Sequence, residues 1–329
     1  SEAIDYSGRV GFEALRHNQE ENARGSTKDQ QFSDYSVFTA NTLWADNFSF
    51  SGGVRYTYGT DIFDEHHMLS FDGGASYTLP RVDTKLRTSY STGYSRNKGF
   101  AYFFGPIEAA GGVDLTENRT FEVGADQPYN LGGSGNNGKL RLTAFRTINN
   151  GVPTFSGWGA QTVYYEDRRV RGLEVALDQR IVGNARLFGS FTYMKTELVS
   201  TTHPEGINIG NTGVRVPRYT GSAGLELSPL NRLDLTLIGT CDDGMRNRQI
   251  DTQTGEETIT IYSAYTRVNF AADYRINPTF STEIRVENLL DQEQFGSSFE
   301  TIGPDGYSRT ETRAENPGRF ISLGLTMNF

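Results

Sequence analysis

Three observations in the sequence predict an all-β fold, a transmembrane antiparallel β-barrel with about fourteen strands in this chain. Apolar residues recur at every second position over segments of roughly ten residues, the length a tilted strand needs to cross a bilayer. Short turns and long polar connections alternate strictly along the chain, as periplasmic turns and extracellular loops do in such barrels. The 329 residues include 37 Gly, 17 Tyr and 21 Phe, yet only 36% are hydrophobic. That balance suits a sheet with one wet face and one apolar face.

Taken in order, segments 5–16 and 33–44 flank the polar stretch 17–32, and Ala45-Asp46 turns the chain. In 47–58, Phe48, Phe50, Val54 and Tyr56 alternate with Ser49, Ser51, Gly53 and Arg55. In 68–79, Leu69, Phe71, Ala75, Tyr77 and Leu79 alternate with Ser70, Asp72, Gly74, Ser76 and Thr78. Pro80-Arg81-Val82 leads to 84–94, and the long connection 95–117 leads to 118–130 and 138–148. After 149–169 comes 170–182, where Leu173, Val175 and Leu177 mark the apolar side. Gly183-Asn184 turns into 185–198, and 199–216 leads to 217–228. Pro229-Leu230-Asn231 opens 232–241, with Leu233, Leu235 and Leu237 on one parity. Beyond 242–263 lie 264–276, the turn Asn277-Pro278, and 278–289. The polar stretch 290–318 precedes 319–329, where Ile321, Leu323, Leu325, Met327 and Phe329 alternate with small or polar residues. Gly and Asn tolerate unusual φ and Pro presets it, so the short connections are turns with a mechanism.

If Phe329 ends at the periplasm, the even-numbered strands run downward and the first strand also starts there. Trp44, Tyr56, Tyr58, Tyr77, Tyr90, Tyr94, Tyr193, Tyr265 and Tyr274 then fall near strand ends. Amphipathic rings favour that interfacial depth, although β-propensity alone also enriches Tyr.

Several classes are excluded. No apolar run is long enough for a membrane-spanning helix. A formal charge of −9 opposes a nucleic-acid partner. One cysteine allows neither an intramolecular disulfide framework nor a cysteine zinc site. No nucleophile elbow, phosphate-binding glycine loop or dinucleotide fingerprint occurs, so no enzyme and no cofactor is expected. Glu174, Asp178, Glu283, Arg285 and Glu287 read as cross-paired residues of a polar lumen.

The C-terminal third carries a resemblance. Glu287-Asn288-Leu289-Leu290-Asp291-Gln292, then Asn316-Pro317-Gly318-Arg319, then an alternating strand ending in Phe329 resembles the C-terminal signature of TonB-dependent outer-membrane receptors. Val170-Arg-Gly-Leu-Glu-Val175 resembles the start of one family strand, and Tyr90-Ser-Thr-Gly-Tyr94 another family segment. Glu117-Asn118 with Phe121-Glu-Val-Gly124 is similar to a third, with Thr116 where the family usually has Pro. The resemblance implies a 22-stranded barrel with a plug inside it, driven by the TonB energy-coupling complex through that plug. Residues 1–329 would be the C-terminal portion of the barrel domain. The plug and first strands would lie on another chain or segment.

Candidate ligand contacts lie in the long connections. Arg96, Lys98, Phe100, Tyr102, Phe103 and Phe104 combine two cations with four aromatics, a mixture suited to an anionic, aromatic or hydrophobic small molecule such as a ferric siderophore. The same loop could instead pack on a plug or on lipopolysaccharide sugars. Tyr164, Arg168, Arg169, Arg246 and Arg248 add aromatic and cationic groups at the same rim, or are plain solvated polarity. Asp64-Glu65-His66-His67 lacks metal-site spacing, because neighbours on an extended chain point apart.

The expected function is TonB-dependent uptake of a scarce ligand across the outer membrane of a Gram-negative cell, in contact with outer-membrane lipid and lipopolysaccharide. The alternative is a passive porin-like channel formed by an autonomous fourteen-stranded barrel. Siderophore, cobalamin, haem and sugar ligands are not separated by these residues.

Overall fold

The computed structural model describes residues 4–23, 26–60, 65–95, 115–132, 137–155, 163–181, 184–202, 216–250, 257–262, 264–292, 295–302, 308–314 and 318–327. Among the described residues all regular structure is strand. The strands are β1 (Ile4–Ala23), β2 (Ser26–Ala45), β3 (Phe48–Thr60), β4 (Glu65–Thr78), β5 (Lys85–Ser95), β6 (Thr116–Asn130), β7 (Asn137–Phe155), β8 (Val163–Ile181) and β9 (Ala185–Thr201). They continue as β10 (Tyr219–Leu230), β11 (Leu233–Asp242), β12 (Met245–Ile250), β13 (Glu257–Tyr262), β14 (Tyr265–Arg275), β15 (Phe280–Glu287), β16 (Phe295–Ile302), β17 (Ser308–Ala314) and β18 (Phe320–Met327).

Fourteen strands form one sheet in the order β1 to β11, β14, β15, β18, each beside its neighbour in that series. This matches the fourteen alternating segments. Consecutive strands joined by short turns have no reason to seek distant partners, so an antiparallel meander results. β1 and β18 stand at the two ends of the order. The chain divides into two compact units, one of 1–124, 145–170 and 197–211, the other of 125–144, 171–196 and 212–329.

Register turns alternation into a continuous face. In the first unit Phe12, Val37, Tyr56 and Leu69 stand opposite one another across β1 to β4. In the second, Leu187, Leu225, Leu237, Phe270, Val286 and Ile321 form one row across six strands. These side chains point away from the protein, with Val10 at 77% and Leu323 at 75% exposure. Among the described residues only Met68 and Leu198 are buried hydrophobics. The apolar surface therefore has no protein core to enter. Lipid hydrocarbon is the medium that satisfies it.

The turns match their chemistry. Asp46 and Asp83 adopt φ of 49° and 55°, the left-handed region that Asp visits more readily than most residues. Asn277 Oδ1 accepts the amides of Thr279 and Phe280, both at 2.9 Å. This Asx turn lets the chain reverse at Asn277-Pro278.

The long connections hold more strand than the sequence suggests. β1 and β2 each run for 20 residues, well into the 17–32 stretch. The 242–263 and 290–318 stretches each contain a hairpin, β12–β13 and β16–β17, and the two pair through β13 and β16 into a second, four-stranded sheet. Period-two apolar patterning is diagnostic of a strand only where one face meets an apolar medium; β13 shows it over a few residues with Ile259 and Ile261, while β12 and β17 do not.

One row tests the face assignment. Leu237→Arg is expected to destabilise the folded protein in lipid bilayers by about 2–4 kcal/mol, while Thr236→Arg on the opposite face costs far less. Reversible unfolding in phospholipid vesicles measures both. Equal costs would count against the assignment, and a larger cost at Thr236 would invert it.

Candidate functional site

The face opposite the apolar one is polar and densely paired. In the first unit Arg55 pairs with Glu13. Its Nη2 also donates to Ser36 Oγ at 2.9 Å and its Nε to Thr57 Oγ1 at 3.3 Å. Cross-strand register puts Glu13, Ser36 and Thr57 side by side, so one guanidinium satisfies three strands. In the second unit Arg186 donates to Asp178 at 2.7 and 3.0 Å and to Glu226 at 3.1 Å. Buried Asp126 faces Lys139 Nζ at 3.0 Å and Arg141 Nε at 3.4 Å. Arg285 pairs with Glu283, and Arg267 with Glu287 at 2.9 Å. Of the carboxylates read as lumenal, Asp178, Glu283 and Glu287 thus hold guanidinium partners.

Two glycines on this face take aromatic rings. Gly11 lies directly opposite Phe38, and a Cβ added at Gly11 would collide with that ring. Gly224 relates to Phe188 in the same way. Arg55 sits 5.7 Å from the centroid of Phe38, and Arg186 sits 5.1 Å from that of Phe188. The absent glycine side chain lets a ring lie flat on the sheet, and the cation caps it.

The ends of β6 to β9 next to the long connections carry a second network. Gly151 N donates to Asp167 Oδ1 at 3.0 Å, and Ser200 Oγ to Asp167 Oδ2 at 2.6 Å. Thr116 Oγ1 donates to Gly151 O at 3.0 Å. Arg119 clamps Glu117 through two bonds of 2.9 and 2.8 Å, and Asn150 Nδ2 adds a third at 3.3 Å. The Arg119 guanidinium holds the Glu117 carboxyl below the usual carboxylate range, against the opposing effect of burial.

The expected rim residues divide accordingly. Arg168 donates to Glu166 at 2.6 and 2.9 Å, and Arg169 lies 3.9 Å from Glu197. Both therefore meet a neighbouring carboxylate instead of standing as bare cations. Tyr164 falls in β8. Arg246 and Arg248 fall in β12, opposite Ile261 and Ile259. Arg96, Lys98, Phe100, Tyr102, Phe103 and Phe104 lie outside the described residues. His66 and His67 occupy successive register positions opposite Gly59 and Tyr58, hence opposite faces. Among the described residues no group of three or more His, Cys, Asp or Glu side chains gathers to hold a metal ion.

The C-terminal motif is a clasp. Asn288 is 2% exposed with φ of 52°. Its backbone N donates to Asn269 Oδ1 at 3.0 Å, its Nδ2 to Gln292 O at 2.8 Å, and its Oδ1 accepts Gln292 N at 3.0 Å. Leu289 N donates to Val268 O at 2.7 Å. Asp291 Oδ1 accepts Arg319 N at 2.7 Å, which fixes the residue after Gly318 at the entry to β18. Pro317 and Phe329 lie outside the described residues. The family resemblance flagged these residues, but only their geometry gives the reason: Asn supplies both a left-handed corner and an amide that bridges it.

The family described as TonB dependent receptor-like, beta-barrel, matches residues 3–289. No curated protein matches the sequence. The siderophore receptor PiuA from Acinetobacter baumannii superposes with a TM-score of 0.70 at 15% identity, covering 98% of this chain and 53% of that chain. The ferric-catecholate import receptor Fiu from E. coli K12 gives 0.69 at 15% identity, covering 99% and 52%. The copper transporter OprC gives 0.71 at 14% identity, covering 99% and 54%. At such identity the likeness speaks to fold. The chain spans about half the length of these structures.

The clasp yields a test. Asn288→Gly keeps the left-handed corner but loses the bridging amide, while Asn288→Ala loses both. The glycine variant is expected to cost about 1–3 kcal/mol for the bonds, and the alanine variant about 1 kcal/mol more for the φ. Unfolding in lipid vesicles reads both. Identical, negligible losses would remove the clasp's role.

Proposed function

Because the chain belongs to the TonB dependent receptor-like β-barrel family, we propose that it forms the C-terminal portion of an outer-membrane receptor for energy-coupled uptake of a ferric siderophore. The observation that carries this reading is a fourteen-stranded sheet matched to the family over 3–289 and spanning about half of each similar receptor. Two of those receptors are described as a siderophore receptor and a ferric-catecholate importer. The aromatic and cationic stretch 96–104 supports a ligand of that chemistry. In this reading the protein is a transporter, not an enzyme. It sits in the Gram-negative outer membrane, and the TonB complex acts on it through a plug carried elsewhere.

The open ends of the sheet give the reading a physical demand. β1 and β18 each have one neighbour in the sheet order, and a bare edge in hydrocarbon leaves backbone groups unpaired at several kcal/mol each. β1 runs toward the long connections and β18 away from them, so an even number of strands must lie between them in a closed antiparallel barrel. Zero is also even. That value is the porin-like alternative, an autonomous fourteen-stranded channel.

Two experiments follow. With Cys241 replaced, one cysteine among residues 8–12 and one among 321–327 is scanned for crosslinking in the native outer membrane. The receptor reading expects no efficient bond between β1 and β18, and ready crosslinking refutes it in favour of self-closure. Separately, Phe103→Ala with Phe104→Ala is expected to lower ferric siderophore binding about tenfold or more, the worth of two aromatic contacts with the ligand. Surface level should stay unchanged. Undiminished binding and uptake would detach the 96–104 stretch from the ligand.

A further inference from the structure

The apolar face of β2 to β4 changes character near the long connections. Val37, Val54, Leu69 and Phe71 lie on it, all more than two-fifths exposed. Above them the next row reads Tyr35, Tyr58 and His67, directly opposite one another across the three strands. Tyr56, one row down, hydrogen-bonds through its hydroxyl to His67 Nδ1 at 2.7 Å. The His67 ring lies 5.3 Å from Tyr58 and 6.2 Å from Tyr56 by centroid. The Tyr58 hydroxyl engages Glu65. At the other end of the same face Phe48 packs on Tyr77 at 4.4 Å. From Phe48 to Tyr58 the strand advances about 33 Å at about 3.3 Å per residue, or about 25 Å along the normal at a tilt of about 40°, the height of a barrel's apolar band. The Tyr35–Tyr58–His67 row therefore stands at headgroup depth on the extracellular side.

We infer that this outward row, with Tyr56 and Glu65, is a docking ledge for the sugar headgroup of an outer-leaflet glycolipid. It continues the lipid-facing surface without a break, and its chemistry is that of a saccharide site. Rings offer flat amphipathic contact. A carboxylate accepts hydroxyl protons, and an imidazole and phenols exchange hydrogen bonds with them. When Tyr56 O–H donates to Nδ1, the His67 proton resides on Nε2 as a donor directed away from that bond. Glu65 disfavours a phosphate at the same spot, so the ledge selects for neutral hydroxyls. The inference rests on the membrane-spanning reading of the sheet.

The test uses the full-length receptor in nanodiscs of phosphatidylethanolamine, alone or with lipopolysaccharide, dephosphorylated lipid A or phosphatidylglycerol. Lipid retained per protein is read by native mass spectrometry. The wild type is expected to retain lipopolysaccharide and dephosphorylated lipid A but not phosphatidylglycerol. Tyr58→Leu with His67→Leu keeps the face apolar and is expected to lower glycolipid retention about tenfold, the worth of about one hydrogen bond to a charged or fixed partner. Tyr56→Phe, which keeps the ring and frees the imidazole, should show a smaller loss. Inserted variants that retain glycolipid like the wild type overturn the ledge, as does retention that depends on phosphate alone. A wild-type protein that fails to insert into any bilayer overturns the membrane reading itself, a distinguishable result.

Discussion

A backbone amide inside hydrocarbon has no water to turn to, and the rest of this structure follows from that constraint. Every strand must find its partners in other strands, so the chain is a meander from β1 to β18 with no helix among the described residues. Once the ladder is fixed, side chains are free to sort by parity. Apolar residues face outward and charged ones inward, the reverse of a soluble protein. Because the core lies outside the molecule, stability depends on the medium as much as on internal packing.

The inward face solves a different problem. Charges crowded on one face of a sheet repel unless they are matched, and here the matching is local. Arg55, Arg186 and Arg285 each reach a carboxylate on their own or a nearby strand. Such exposed or half-exposed pairs contribute little individually. Their collective effect is to fix which residues present unpaired hydrogen-bonding capacity toward the interior. Phe38 and Phe188 interrupt the polar face, and the glycines opposite them make room.

Much of this was legible in the sequence. Fourteen strands could be read because alternation against an apolar medium leaves a mark at every second residue, and because Asn277-Pro278 and Ala45-Asp46 are turns for chemical reasons. The second sheet was not legible, because strands such as Ser308–Ala314 carry no apolar stripe. Of the candidate site, Arg168 and Arg169 were visible as rim cations. Their pairing was not: Glu197 approaches Arg169 from another strand, and the Glu166 partner of Arg168 depends on a shared face that charge alone does not reveal. The role of Asn288 was equally hidden. A motif marks where a residue matters, while the positive φ and the bridging amide that explain it exist only in the folded chain.

The clasp at Asn288 and Asp291 sits between the main sheet and the hairpin β16–β17. It ties β14, β15 and the entry to β18 through Asn269, Val268 and Arg319, so the strand ends are held from below whatever the chain does between residues 292 and 318. The consequence is modularity. That segment can be lengthened, shortened or replaced by a foreign epitope while the register of the final strands stays set by the clasp, so the outward-facing surface is free to diversify on a wall that does not change.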